Sequence, residues 1–87
     1  MKMKYTFESV NMGDEIIMVP VGNGASQVQG VIKLNETGYK IVQMISQGMT
    51  EDEIVNSLMK EYSNDRDTLT RYVQDVINIL KDNQFVE

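Results

Sequence analysis

From Lys4 to Val10 the chain alternates, with Tyr5, Phe7 and Ser9 on one side and Lys4, Thr6, Glu8 and Val10 on the other. That two-residue period belongs to a half-buried strand. Asn11-Met12-Gly13-Asp14 then supplies a turn, because Asn, Gly and Asp tolerate the backbone angles that turns require. Glu15 to Val19 is an apolar, β-branched run ended by Pro20, and the stretch Val21-Gly22-Asn23-Gly24-Ala25-Ser26 reads as a loop. A third run follows from Gln27 to Leu34, in which Val28, Gly30, Ile32 and Leu34 share one face while Gln27, Gln29, Val31 and Lys33 share the other.

At Asn35 the period changes. Asn35 is an N-cap residue type, and Gly38, Ile41, Val42 and Ile45 recur at helical spacing until Gly48, a left-handed stop. Thr50 and Glu53 have the spacing of a capping box, and Met49 with Ile54 has that of a hydrophobic staple. The second helix carries Ile54, Val55, Leu58, Met59 and Tyr62 on its apolar stripe, after which Ser63-Asn64-Asp65 breaks the pattern and offers caps for a third. In that third helix Leu69, Val73, Ile77 and Leu80 lie within about 80° of one another at about 100° per residue. Val76, Tyr72 and Ile79 widen the arc by roughly another 80° along one flank, so something must cover that flank: the sheet, a second copy or a ligand.

The pattern therefore predicts an α+β fold, a three-stranded antiparallel N-terminal sheet followed by three helices, in which a strand feeds directly into a winged-helix-like helix-turn-helix. At 87 residues the length suits one domain, residues 1–87, with one core.

Composition removes most reaction chemistry. The chain has no Cys and no His, so disulfides, thiolate metal sites and the usual general base are absent, and no metal or other cofactor is expected. Glu51, Asp52 and Glu53 are explained as first-turn acids complementing the helix dipole. Gly22-Asn23-Gly24 lacks the lysine and the following helix of a phosphate loop. Of the seven methionines, Met18, Met44 and Met59 fall at core or near-core positions. The longest apolar run, Ile16 to Val21, contains Pro20, so neither a secretion signal nor a membrane span fits and a cytoplasmic protein is expected.

Residues 1–34 carry three acids and three bases, whereas residues 35–87 carry ten acids and five bases, so the formal charge of −5 resides in the helical half. A nucleic-acid surface needs the opposite balance.

The order of three strands and three helices, with Leu34-Asn35-Glu36-Thr37-Gly38 at the strand–helix joint and Thr50-Glu51-Asp52-Glu53-Ile54-Val55 opening the second helix, resembles the PqqD family. The resemblance runs from about Lys4 to Val86. Where the family has a glycine after the last helix, this chain has Asn83-Gln84, and Asn83 is expected to take the left-handed conformation. The loop from Pro20 to Ser26 is unusually long and glycine-rich. The resemblance implies the RiPP recognition element fold and a peptide chaperone without catalysis or cofactor. Such a module binds the leader segment of a ribosomally made precursor peptide by strand addition and presents it to a modifying enzyme, often a radical SAM maturase. By position it implies that the leader pairs with Gln27, Val28, Gln29, Gly30, Val31, Ile32 and Lys33. It further implies a cleft wall of Leu69, Tyr72, Val73, Val76 and Ile79, a floor of Val28, Val31 and Ile32, and Lys33, Arg66 and Arg71 as partners for leader acids.

The alternative is a winged-helix DNA-binding regulator with the third helix in the major groove. Its charges oppose that reading, since Arg66, Arg71 and Lys81 are balanced by Asp67, Asp75 and Asp82.

Overall fold

The computed structural model describes residues 2–21 and 31–86. Three strands, β1 (Thr6–Asn11), β2 (Ile16–Val21) and β3 (Ile32–Leu34), precede three helices, α1 (Glu36–Ser46), α2 (Glu51–Glu61) and α3 (Arg66–Asp82). The sheet is antiparallel in the order β1-β2-β3. Residues 27–30, which open the expected third strand, lie outside the described residues.

Register follows the alternation. Phe7 sits opposite Pro20, Ser9 opposite Met18 and Val10 opposite Ile17, while Ile16 pairs with Leu34 and Met18 with Ile32. Ile16, Met18, Ile32 and Leu34 are all buried, which identifies the inner face as the one the helices cover. Tyr39 of α1 reaches the same face, its hydroxyl 3.0 Å from Ser9 Oγ.

Two strand boundaries differ from the sequence expectation. Pro20 lies inside β2 rather than ending it; proline removes a donor but has an extended-compatible φ, and the described β2–β3 pairing stops at Met18, short of it. β1 begins at Thr6, not Lys4, because the residues before it pair with the chain's other end. Met3 faces Val86 in an antiparallel bridge and Lys4 N–H donates to Phe85 O at 2.9 Å. Phe85 is 1% exposed and its ring lies 5.1 Å from that of Phe7 and 6.3 Å from that of Tyr5, distances at which aromatic rings attract beyond their burial.

The helices start where their caps fall. Asn35 Oδ1 accepts from Gly38 N–H at 2.8 Å. Thr50 and Glu53 form the full capping box, Thr50 N–H donating to Glu53 Oε1 and Glu53 N–H to Thr50 Oγ1; the backbone bond from Thr50, with its side chain second, holds the Glu53 carboxyl below the usual range. Asp65 caps α3, and Thr68, through its side chain and its backbone N–H, lowers the Asp65 pKa likewise. Lys40 ties α1 to α2 through Glu61 at 3.2 Å, which raises its pKa.

The ends of α1 and α3 share one geometry. At α1, Met49 N–H reaches Met44 O and Gly48 N–H reaches Ile45 O, with Gly48 at φ +84°. At α3, Phe85 N–H reaches Leu80 O and Gln84 N–H reaches Lys81 O, with Gln84 at φ +61°. Both are Schellman closures. The left-handed residue of the second is thus Gln84 and not Asn83. Asn83 still donates its N–H to Ile79 O within the helical ladder, and its side-chain amide donates to the same oxygen at 2.8 Å; the reversal therefore falls one residue later.

One apolar cluster joins sheet and helices, including Ile41, Val42, Ile45, Ile54, Val55, Leu58, Leu69, Val73, Ile77 and Leu80. Met18 is buried and Met44 half-buried, but Met59 is 43% exposed. It sits one residue beyond Leu58, off the inward stripe, with its sulfur 3.7 Å from Arg66 Nη1.

Candidate functional site

β3 is a terminal strand, paired on one side by β2. Strands alternate their side chains, so Ile32 and Leu34 turn inward, at 3% and 7% exposure, while Val31 and Lys33 turn to the outer face. The face that meets the helices is therefore the Ile32 face. Val31 and Ile32 point to opposite sides and do not form a shared floor, and Val28 lies outside the described residues.

α3, bonded through Tyr72 to Asn35 at the end of β3, divides into a packed stripe and an open flank. Leu69, Val73 and Val76 are enclosed in the core. Val73 and Val76 support the wall, while Leu69 also contributes to the lining of a groove beside Tyr72. Tyr72 is half-buried and Ile79 is 40% exposed, so the flank anticipated from the wide apolar arc is covered at Val76 and open at these two positions.

A polar joint holds α3 against the end of β3. Tyr72 Oη donates to Asn35 Oδ1 at 2.7 Å, and the same oxygen caps α1 through Gly38 N–H. Two donors thus fix one side-chain oxygen. The missing side chain of Gly38 makes room for this arrangement: a Cβ there would stand 3.3 Å from Asn35 Oδ1 and 3.3 Å from a Leu34 methyl. Beside the joint, Asn35, Thr37, Tyr62 and Thr68 help to line a groove of about 260 Å³, with Thr37 Oγ1 3.1 Å from Tyr62 Oη.

The three expected cations have different surroundings. Arg66 is turned toward α2, donating to Asn56 Oδ1 at 2.6 Å and standing 3.6 Å from Asp52. Arg71 and Lys33 are exposed and make no ion pair among the described residues. The joint residues Asn35, Thr37 and Tyr62 were not identified as site residues from sequence. Asn35 is legible as a cap, but no local period brings a tyrosine hydroxyl to it from 37 residues away.

A second groove, of about 470 Å³, lies on the far side between β1 and α1, with Tyr5, Phe7, Tyr39 and Val42 in its lining. Among the described residues no group of three or more acids is arranged to hold a metal ion, and no helix is long and apolar enough to cross a membrane.

Comparison with known proteins places this geometry. The family model described as Coenzyme PQQ synthesis protein D (PqqD) matches residues 15–86. A solved structure described as TbiB1 in complex with the TbiA(beta) leader peptide superposes with a TM-score of 0.75 at 26% identity, covering 100% of this chain and 95% of that one. No curated protein gives a significant match.

Proposed function

The chain belongs to the PqqD family, and from that premise we propose that it binds the leader segment of a ribosomally made precursor peptide and delivers it to a modifying enzyme, a radical SAM maturase, performing no catalysis itself. The observation that carries the reading is a terminal strand beside a helix with an unfinished apolar flank: β3 ends the sheet, and α3 leaves Ile79 and half of Tyr72 uncovered. An extended peptide gains main-chain hydrogen bonds from such an edge and specificity from alternate side chains entering the adjoining cleft. The solved neighbour, which is in complex with a leader peptide, supports a leader peptide as the ligand.

The placement of β3 sharpens what the guest must look like. Leader side chains turned toward α3 meet Ile79 and the Tyr72 ring and are apolar; those on the opposite side pass near Lys33 and tolerate, or prefer, an acid. Gln27 to Gly30 extend the proposed edge by sequence, and Arg71 is the more accessible cation on α3, Arg66 being held by α2. DNA binding gains nothing from the structure, because the acids Asp67, Asp75 and Asp82 are exposed on the helix that would enter the groove.

The test is an NMR titration of the ¹⁵N-labelled protein with synthetic peptides covering the N-terminal parts of the short reading frames beside its gene. Micromolar or tighter binding that moves the amides of Val31 to Lys33 and of Ile79 is expected. Shifts confined to α1, or no response from any such peptide, would remove the proposal.

A further inference from the structure

Among the described residues no helix covers the outer face of the sheet. Its central strand presents Ile17, Val19 and Val21, three β-branched residues left half-buried by their neighbours in the sheet, and the flanking strands add Val10 at 49% and Val31 at 46% exposure. Register makes these contiguous: Val10, Ile17 and Lys33 form one row across the strands, Glu8 and Val19 the next, and Thr6 and Val21 the third. Natural sheets with one free face fill it with polar residues. Here five aliphatic side chains stand together, rimmed by an acid on β1 and a base on β3.

We propose that this face is the contact between two copies of the chain, packed sheet against sheet. Charge selects a second copy over an unrelated partner. A two-fold axis running along β2, between the sheets, lays β1 of each copy over β3 of the other, as an isologous contact requires. Glu8 then lies across from the strand that carries Lys33, offset along it by two residues or about 6.6 Å, a gap that a lysine side chain spans. The pair is formed twice, once on each side of the aliphatic strip, and neither charge has an ion-pair partner among the described residues. Aligned packing of two twisted sheets is a standard way to bury such faces.

The contact is small. The outward residues Thr6, Glu8, Val10, Ile17, Val19, Val21, Val31 and Lys33 cover on the order of 250 Å² per copy, against about 800 Å² in a standard interface, so the dimer is weak. Because the sheets meet by their faces, the free edge of β3 remains at the side of each copy, and the contact does not depend on the leader-binding proposal.

Sedimentation velocity of the whole protein from about 10 µM to about 1 mM reads the association directly. Reversible dimerisation is expected, abolished by Val19→Asp, which puts a carboxylate in the middle of the strip and raises the Kd at least about 100-fold. Val19 is exposed enough for this variant to fold, and far-UV circular dichroism checks that it does. Glu8→Lys and Lys33→Glu should each weaken self-association about 5-fold, while an equimolar mixture of the two variants should associate as well as the natural chain, since each then faces its complement. A monomer at every concentration overturns the proposal. So does a dimer indifferent to Val19→Asp, or one in which the mixture fares no better than its parts.

Discussion

β1 and β3 are both terminal strands of one sheet, yet among the described residues only the approach to β1 is tied to a distant part of the chain. The run into β1 is closed by the C-terminal residues, through the Met3–Val86 bridge, the Lys4–Phe85 hydrogen bond and a Phe85 side chain packed among Tyr5 and Phe7. β3 has no comparable cover among the described residues, and α3, whose Tyr72 is bonded to Asn35 just after β3, exposes Ile79. Exposed strand edges invite foreign strands, so proteins normally blunt them. The contrast separates stability from recognition: the closed side should carry folding energy and the open side binding energy.

Phe85→Ala is the strongest attempt to break that division. The ring is fully buried, and its loss should cost about 3 to 5 kcal/mol, lowering the thermal midpoint by about 15 °C or more. A loss under about 1 kcal/mol would mean that the C-terminal closure is not structural. On the open side, Ile79→Asp should leave stability within about 1 kcal/mol of the natural chain while weakening leader binding at least about tenfold by isothermal calorimetry. Val76, although on the same flank by sequence, is a poor probe, because at 4% exposure an aspartate there would destroy the fold together with the site.

What could be foreseen from the sequence was local. The caps at Asn35 and Thr50 and the glycine stop at Gly48 depend on residues within four positions of one another, and each stands where its pattern placed it, while of the three cap types Ser63, Asn64 and Asp65 the structure uses Asp65. The apolar stripe of α3 was legible because Leu69, Val73, Ile77 and Leu80 fall on one face of any α-helix. What escaped reading depends on distant partners. The start of β1 moves from Lys4 to Thr6 because Phe85 and Val86 compete for Met3 and Lys4. Asn35 acquires its role at the joint from Tyr72, and Arg66 is drawn to α2 by Asn56 and Asp52. Periodicity could place Tyr72 and Ile79 on a flank, but only packing could show that Val76 between them is enclosed.

The closed side also has a point where it can be improved, and this gives the smallest expected effect. The turn that aims Phe85 into the core requires a left-handed residue, which α1 obtains from Gly48 and α3 from Gln84. A side chain in that region crowds the following carbonyl and costs about 1 kcal/mol relative to glycine, offset in part by the greater freedom glycine gives the unfolded chain. Gln84→Gly should therefore stabilise the protein by about 0.5 kcal/mol, raising the midpoint by about 2 to 4 °C, and should leave leader affinity unchanged because Gln84 belongs to the closure of the other side. The reverse change at the matching position, Gly48→Ala, should by the same balance cost about 0.5 kcal/mol; no atom lies within 4 Å of the Cβ it would add, so the penalty is purely backbone. If Gln84→Gly is neutral in stability but alters peptide affinity, the C-terminal turn is coupled to the β3 edge and the two sides of the sheet do not act independently.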